Sequence, residues 1–295
     1  MEVASSRRDT WDYAVFEEWE RRQGAPADGW TVVIPYFNER HYLPQTLASL
    51  SRQTVPFDLV LVDNGSTDGS AEVARATCAA LGLLPVMLCE PRRGKVAALA
   101  TGLADVETRY VATCDADTWY PADYLAAATS LLEQPGTVAA GAFYAAPERT
   151  RAVHALAALK IVLAGKLLRG QCHAGGAGQV FRTAVLRAAG SYDPRRWNLV
   201  LEDHEIAHQV MKRGRMTYGA RLWCAPSTRH RDRDSVSWNV FQRVVYHAVA
   251  GMAPDWYFQR FLGPRLGRRN LSSERLRERI HLVREIGHAS PHPVR

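Results

Sequence analysis

Short apolar runs alternate with helical patterns along the first half of this chain, and this alternation constrains the fold more than any other feature. The β-branched runs Thr31–Pro35 and Leu59–Val62 are followed by helical patterns at about 40–53 and about 69–82. Strands that alternate with amphipathic helices predict a mainly parallel sheet with helices on its faces. Further strands are predicted at Pro85–Glu90, Tyr110–Cys114 and Val138–Tyr144. The predicted fold class is therefore α/β.

A third helical pattern covers about 150–170. Its apolar residues recur at three- and four-residue steps: Val153, Leu156, Leu159, Leu163 and Leu167. Such a stripe is typical of an amphipathic helix packed on a core, so we predict that this helix faces the core. The same stretch, Ala152–Leu168, is the longest apolar run, but Lys160 and Lys166 interrupt it and it is shorter than the roughly 20 residues that span a bilayer.

The cysteines and the first residues bear on the cellular compartment. The chain has five cysteines, an odd number with no C-x-x-C spacing, which disfavours both a disulfide scaffold and a thiolate zinc site. The N-terminal residues contain no apolar segment typical of a secretory signal. We therefore expect a cytoplasmic protein that lies, at most, peripherally on the cytoplasmic face of the membrane.

Charge is unevenly distributed along the chain. The net charge is +7, with 20 Lys and Arg against 24 Asp and Glu in residues 1–209, and 17 against 6 in residues 210–295. The basic final third predicts an anionic partner. One such partner would be nucleic acid, but the sequence has no RNA-recognition aromatic signature, zinc finger or helix-turn-helix pattern. Nucleic-acid binding is therefore kept as an alternative and is not our main interpretation.

Acidic residues follow three of the predicted strands. They occur in Pro35–Glu39, Asp63–Asp68 and Cys114–Asp117. Ligands of open α/β sheets bind at the carboxyl ends of the strands, so these carboxylates would converge on one site and repel each other unless a cation, a proton or a ligand offsets their charge. Asp115 and Asp117 could present two hard oxygen ligands to Mg²⁺ or Mn²⁺. The ion would neutralise a diphosphate leaving group.

Five segments follow one another along the chain: Thr31–Glu39 (TVVIPYFNE), Leu61–Ser70 (LVDNGSTDGS), Arg93–Gly102 (RGKVAALATG), Cys114–Asp117 (CDAD) and Leu201–Asp203 (LED). In this order they resemble the family 2 glycosyltransferases, over about residues 30–225. The resemblance implies the GT-A fold, which is a Rossmann-like mixed, mainly parallel sheet with helices on both faces. It also implies an inverting transferase that uses a nucleotide-diphosphate sugar, with a UDP-sugar expected, and a divalent cation, Mn²⁺ or Mg²⁺.

The resemblance assigns a donor role to seven residues. It implies that the nucleoside pocket is lined by Pro35, Tyr36, Glu39 and Asp63, with Asp63 accepting a hydrogen bond from a base N–H. It implies that Lys95 is the basic residue near the donor, that Asp115 faces the ribose or the metal, and that Asp117 is a metal ligand. His230 is a further candidate metal ligand; a surface histidine in a charged loop is the alternative.

The acceptor side is predicted from Glu202 and Asp203, which resemble the family's acidic pair, with Asp203 as general base. A single displacement at the anomeric carbon needs a carboxylate beside the acceptor hydroxyl and a stabilised diphosphate on the opposite side. Gly175 and Gly176 would let the backbone approach the sugar closely, unless they form only a flexible turn. A further alternative is that the chain is a catalytically silent relative. The presence of Asp117 and Asp203 argues against this alternative.

A competing pattern overlaps this acidic pair. His204–His208 matches H-E-x-x-H, in which two histidines bind zinc and a glutamate acts as base. A zinc metallohydrolase would need a third ligand, but the next glutamate after Glu205 is Glu274 and no histidine occupies the extended register. This alternative is disfavoured, and a dehydrogenase is disfavoured because no G-x-G-x-x-G follows the first strand.

The final third is rich in aromatic residues and arginines. The aromatic or apolar members are Trp238, Phe241, Val245, Trp256, Tyr257, Phe258 and Phe261, and the arginines are Arg243, Arg260, Arg265, Arg268 and Arg269. They resemble an interfacial surface for anionic lipid, although a core of aromatics with a solvated arginine face is an open alternative. The first reading predicts a lipid or glycan acceptor at a membrane surface.

Phe241–Tyr246 lacks the Arg-Trp ending of the Q-x-x-R-W signature carried by chain-extending relatives, so addition of one sugar is predicted. The predicted organisation is an N-terminal helical extension (1–29), a GT-A domain (30–235) and a basic, aromatic-rich helical region (236–295).

Overall fold

The structure, a computed structural model, describes residues 27–227 and 239–274. In this part of the chain, eight strands form one mixed sheet. The strands are β1 (Ala27–Tyr36), β2 (Asp58–Asp63), β3 (Pro85–Cys89), β4 (Thr108–Thr113), β5 (Thr118–Trp119), β6 (Thr137–Tyr144), β7 (Gln179–Arg182) and β8 (Arg215–Pro226). Their order is β3-β2-β1-β4-β7-β6-β8-β5. β1 is parallel to β2 and β4, whereas β7 is antiparallel to β4 and β6. The predicted α/β class is confirmed.

The helices connect these strands and cover both faces of the sheet. They are α1 (Leu43–Leu50), α2 (Ser70–Leu81), α3 (Lys95–Leu103), α4 (Tyr124–Leu132), α5 (Arg151–Leu167), α6 (Thr183–Ala188), α7 (Glu202–Met211), α8 (Val240–Val249) and α9 (Gly263–Arg268). A 3₁₀ turn covers Gly176–Gly178, and a π-helical segment, Trp256–Leu262, precedes α9. The helices predicted at about 40–53, 69–82 and 150–170 are confirmed as α1, α2 and α5.

Two hydrophobic clusters lie on opposite faces of the sheet because side chains alternate along each strand. Val33 of β1 belongs to one cluster, with Leu99 of α3. Its neighbours Val32 and Ile34 belong to the other, with Leu47 of α1. β1 is therefore buried on both faces, which explains why its sequence is a continuous apolar run.

The prediction that the apolar stripe of α5 faces the core is wrong. Leu156, Leu159, Leu163 and Leu167 are all exposed, and the buried side of the helix carries Ala158 and Ile161. Gly165 lies on the sheet side, where an added Cβ would stand 2.3 Å from the Tyr218 ring. Small residues bring this helix close to β8, so the large apolar residues lie on the side away from the sheet.

A third hydrophobic cluster joins the C-terminal residues to the loop before α7. Tyr257, Phe258 and Phe261 are buried in it, with Trp197 and Tyr246. Phe241 and Trp256 are exposed, at 62% and 46%. The interfacial prediction is therefore wrong for the three buried aromatics, which are core residues.

Several predicted features lie outside the described residues: the helix predicted within the 1–29 extension, His230, Trp238 and the basic residues after 274. The last three residues of that extension, 27–29, belong to β1. The boundaries proposed at 29/30 and 235/236 stay predictions. Within the described ranges, every helix is too short or too polar to cross a bilayer. The five cysteines are unpaired thiols.

Candidate active site

The carboxyl ends of β1, β2 and β4 meet at one edge of the sheet. Tyr36 and Asp63 are paired at the ends of β1 and β2. The backbone continues the pairing beyond the strands, since Asn64 N donates to Tyr36 O (3.0 Å) and Cys114 N donates to Val33 O (3.0 Å). Asp115 therefore follows β4 at the same edge as Asp63, as the parallel arrangement predicts.

Lys95, the first residue of α3, connects the carboxylates of two distant segments. Its Nζ lies 2.5 Å from Asp115 Oδ1 and 3.8 Å from Glu202 Oε1. Burial alone would lower the pKa of Lys95, but the charges of Asp115 and Glu202 raise it above its ordinary value. Lys95 is thus a cation that offsets the repulsion expected among the converging carboxylates.

Gly176 lies between Lys95 and Asp203. A Cβ added at Gly176 would stand 3.2 Å from Lys95 Nζ and 3.5 Å from Asp203 Oδ2. A side chain at this position would fill the space in front of both charged groups, so the glycine keeps them accessible. Lys95, Asp115, Gly176, Glu202 and Asp203 form one cluster, which we call the acidic cluster.

Glu202 and Asp203 are the first two residues of α7, and the backbone before them is strained. Leu201 adopts the left-handed conformation, with φ 66° and ψ 30°, which is costly for a branched side chain and is often found at functional sites. The N-terminus of a helix carries partial positive charge and stabilises nearby anions. The turn at Leu201 thus delivers two carboxylates to the start of α7.

Hydrogen bonds hold Asp203 in its ionised form. His204 N donates to Asp203 Oδ1 (2.8 Å), and His204 Nδ1 lies 3.0 Å from the same oxygen. Burial would raise the pKa of Asp203, but His204 and Lys95 together lower it below its ordinary value. Oδ1 is engaged by His204, and Oδ2 is the oxygen near Gly176. Asp203 is therefore an anion that can accept a proton.

Glu202 has the opposite tendency. Burial, together with the charge of the neighbouring Asp203, raises its pKa to about 7 against the opposing effect of Lys95. Two adjacent carboxyl groups whose pKa values move in opposite directions are typical of sites that perform acid–base chemistry.

As pH rises from 5 to 8, the free energy of unfolding of Glu202→Gln is expected to increase relative to that of the wild type by about 1–3 kcal/mol. The folded state of the wild type binds more protons than the unfolded state between the ordinary pKa of 4.5 and the folded value of about 7, so its stability falls as pH rises through this window. Glutamine does not titrate and lacks this loss. Urea unfolding at both pH values measures the difference. Glu133→Gln, at an exposed position, is the control, and a pH-independent difference for Glu202→Gln would contradict the expectation.

Two residues that the sequence interpretation missed support the acidic cluster. Asn64 Oδ1 accepts from Gly94 N (3.0 Å), and its Nδ2 donates to the carbonyls of Glu90 (2.8 Å) and Arg92 (2.6 Å). Asn64 thus fixes the loop that ends at Lys95. The sequence did offer a signal for Asn64, because this residue directly follows the acidic residue that ends β2.

Tyr120 is the other missed residue. Its hydroxyl donates to Ala177 O (2.8 Å) and accepts from Asp115 N (3.0 Å), so it links Asp115 to the glycine turn. Nothing in the sequence pattern marked this tyrosine, because its role depends on segments 57 residues apart.

Asp117 lies apart from these contacts. It is 5% exposed, accepts a hydrogen bond from Ser227 Oγ at Oδ2 (2.9 Å), and accepts another from Ser227 N at its carbonyl (2.9 Å). Within the described ranges, no three potential His, Cys, Asp or Glu ligands come together. Mg²⁺ commonly binds to one or two carboxylates plus substrate phosphates. A buried Asp117 next to the Asp115 strand end fits that kind of site.

The residues predicted to line the nucleoside pocket lie around the ends of β1 and β2. Asp63 Oδ1 accepts from Ser66 N (2.8 Å), and Glu39 N donates to Ser70 Oγ (2.8 Å). Pro35 is half-buried, whereas Tyr36 is buried in the core cluster on α1's face of the sheet. A nucleoside role for these four residues stays a prediction, and for Tyr36 the ring's burial argues against direct contact.

A cavity of about 700 Å³ lies beside the acidic cluster. It reaches Gly175 and His204 and is bounded by α5 and α8. An added Cβ at Gly175 would stand 2.3 Å from Tyr144 Oη, so the glycine is required by close packing at the cavity wall. The lysine, arginine and histidine residues of the lining are Lys160, His173, His204, Arg243 and His247.

The H-E-x-x-H pattern has another use in the fold. Glu205 is 1% exposed, and its carboxylate lies 3.2 Å from Arg196 Nε. His208 stacks on Phe258, and burial lowers its pKa to about 4. His204 contacts Asp203 instead. The three residues serve different neighbours, which argues against a zinc site.

The family comparison covers more than half of the chain. A sequence profile described as Glycosyl transferase family 2 matches residues 31–186. Among curated proteins, the undecaprenyl-phosphate 4-deoxy-4-formamido-L-arabinose transferase of Serratia proteamaculans is 32% identical over 109 residues, which is 35% of this chain and 33% of that protein. The chain spans about a third or less of the length of the curated relatives it matches.

Solved structures share the fold. The mannosyltransferase PcManGT from Pyrobaculum calidifontis, in complex with GDP-Man and Mn²⁺, has a TM-score of 0.58 at 22% identity, covering 87% of this chain and 77% of that one. Glucosyl-3-phosphoglycerate synthase from Mycobacterium tuberculosis, in complex with Mn²⁺, UDP and phosphoglyceric acid, has a TM-score of 0.51 at 19% identity, covering 81% and 83%. At these identities the likeness concerns the fold, and the predicted GT-A architecture is confirmed.

Proposed function

Since the chain belongs to glycosyl transferase family 2, we propose that it transfers a single sugar, with inversion, from a nucleotide-diphosphate sugar to an acceptor bound in the cavity beside the acidic cluster. The observation that carries the proposal is that an ionised Asp203 and the cation Lys95 both border the space in front of Gly176. One group accepts a proton, and the other offsets negative charge. An inverting displacement needs both.

Asp203 is the proposed general base. His204 holds Oδ1 through its backbone N–H, and this leaves Oδ2 directed to the space in front of Gly176. An acceptor hydroxyl entering from the cavity would give its proton to Oδ2 as its oxygen attacks the anomeric carbon. The bond from that carbon to the diphosphate breaks, and the nucleoside diphosphate leaves.

Lys95 and a divalent cation are proposed for the donor side. Asp117, with Asp115, would hold Mn²⁺ or Mg²⁺, and the ion when bound supplies charge that neutralises the diphosphate. His230 stays a proposed third ligand. Support comes from the carboxylate oxygens of Asp115 and Asp117, which are ligands that these ions prefer, and from the Mn²⁺ in the two structural neighbours. Lys95 places a fixed positive charge at the same edge of the sheet, 2.5 Å from Asp115.

The donor is proposed to be a UDP-sugar and the acceptor a membrane lipid. UDP is present in one structural neighbour and GDP-Man in the other, and the resemblance at Asp63 favours uracil. One curated relative is named for an undecaprenyl-phosphate acceptor, and the cavity lining contains Lys160 and Arg243, which suit an anionic acceptor. The enzyme would then act peripherally at the cytoplasmic face of a membrane.

Removal of divalent cations is expected to lower transferase activity by about a hundredfold or more, because the diphosphate would leave without charge neutralisation. The measurement is product formation with Mn²⁺, with Mg²⁺ and with a chelator, after thermal-shift screening of UDP- and GDP-sugars with each ion. A ligand that binds the native state raises its unfolding temperature.

Asp117→Asn should remove the metal dependence of the thermal shift, whereas Asp58→Asn, at the exposed amino end of β2, is the matched control. Full activity in chelator would contradict the metal role. A shift only with GDP-sugars would contradict the choice of uridine.

A further inference from the structure

Helix α5 exposes a continuous apolar face, which we call the leucine face: Leu156, Leu159, Leu163 and Leu167. These side chains are 46–79% exposed. At about 100° per residue they share one side of the helix, opposite the side that packs on β8. A contiguous exposed apolar face of this kind marks an interaction surface.

Helix α8 exposes a second apolar face. Val240 and Val244 are exposed with Phe241, and Met252 and Trp256 follow them in the chain, also exposed. An Asn239–Gln242 capping box begins this helix, so its apolar face is presented by a well-formed first turn.

The two apolar faces adjoin the same cavity. Ala157, Lys160 and Ala164 of α5 line it, as do Arg243 and His247 of α8. The leucine face lies about 100° around α5 from the cavity-lining side. An amphiphile could therefore lie along these faces while its polar end enters the cavity, whose lining includes His204, the residue next to Asp203.

Charge favours an anionic partner for this surface. Neither α5 nor α8 contains an aspartate or glutamate, while α5 carries Arg151, Lys160 and Lys166, and α8 carries Arg243. Apolar residues on one face with lysine and arginine beside them are typical of helices that lie in the headgroup region of a bilayer. A symmetric dimer would place this patch against its own copy and bring like charges together, which disfavours a second copy as the partner.

We propose that the exposed faces of α5 and α8 form a docking surface for an anionic lipid bilayer and that the cavity between them receives the headgroup of the acceptor lipid. The second half rests on the proposed function. Membrane binding itself requires neither donor nor catalysis, so it can be tested separately.

The test is co-sedimentation of the full chain with vesicles of phosphatidylcholine alone and of phosphatidylcholine mixed with phosphatidylglycerol. We expect binding to the mixed vesicles that weakens as salt is raised. The double variant Leu159→Gln/Leu163→Gln should bind at least about tenfold more weakly than the wild type, because it removes two leucine side chains from the bilayer. The matched control is Leu84→Gln, which replaces a leucine that is 94% exposed just before the edge strand β3 and should bind like the wild type.

Several results would overturn the proposal. One is no binding of the wild type to the mixed vesicles, and another is equal binding by the double variant and the Leu84 control. Light scattering that shows a dimer lost in the double variant, without vesicle binding, would assign the leucine face to self-association. Unfolding temperatures of the variants check that each is folded. Vesicle binding by a chain that transfers no sugar would refute the proposed function and leave the docking surface standing.

Discussion

Asp203→Asn is expected to lower kcat for sugar transfer by about a hundred- to ten-thousandfold, the usual contribution of a positioned general base. The amide keeps the size of the side chain and can still accept from His204 N, the bond that is 2.8 Å long in the wild type. It cannot accept the acceptor's proton. Donor binding, measured by thermal shift with the nucleotide sugar, should persist, so the loss should appear in kcat and not in the donor KM.

Asp58→Asn is the matched control, since Asp58 is exposed at the opposite end of β2. Its kcat should equal that of the wild type. Normal turnover by Asp203→Asn would remove Asp203 as base. Loss of donor binding together with turnover would assign Asp203 to donor recognition instead.

Lys95→Met is expected to affect both catalysis and stability. The substitution removes the cation that lies 2.5 Å from Asp115 and 3.8 Å from Glu202, and leaves neighbouring carboxylates to repel one another. Removing one partner of a buried ion pair typically costs about 3–5 kcal/mol; because the Lys95 side chain is 33% exposed, we expect about 2–3 kcal/mol at pH 8. Transfer should fall by at least about a hundredfold.

The pH dependence of the Lys95→Met effect is a further expectation. Lys95 opposes the rise in the pKa of Glu202, so its removal moves that pKa further up. Stability that depends on a raised carboxyl pKa is present at low pH, and it is lost as pH rises through the pKa that the carboxyl group has in the folded state. The destabilisation measured by urea unfolding should therefore be smaller at pH 5 than at pH 8.

Lys212→Met is the matched control, because the Lys212–Asp255 pair is 2.6 Å long but exposed, at 38% and 61%, and exposed pairs contribute about 0–1 kcal/mol. Equal destabilisation of the two variants would contradict the role of Lys95 in the acidic cluster.

Much of the fold could be predicted from local patterns. β1 and β2 are buried on both faces, so their sequences are unbroken apolar runs that differ from any helical pattern. β8 was missed because it is long and partly exposed, with Gly219 and Arg221 in its interior. β7 was missed because it has four residues, which is too short for periodicity to be distinctive.

Helix α5 illustrates the limit of periodicity. An apolar stripe predicts a face that avoids water, but it does not say whether that face meets the protein core or another apolar phase. The side of α5 that contacts the sheet consists of small residues, such as Ala158 and Gly165, because β8 and Tyr218 approach closely there. A close approach depends on the partner strand, and the helix sequence does not contain that information.

The sequence by itself determined the chemical groups of the site: acidic residues after three strands, a lysine at the start of a helix, and the Glu202–Asp203 pair. Parallel strands place such residues at one edge, so their convergence was predictable. Only the tertiary structure decided that Lys95 bridges Asp115 and Glu202, that the pKa values of Glu202 and Asp203 move apart, and that the leucine face points outward. The physical reason is that burial and charge–charge distances are set by residues far apart in the chain, and these distances decide which groups are ionised.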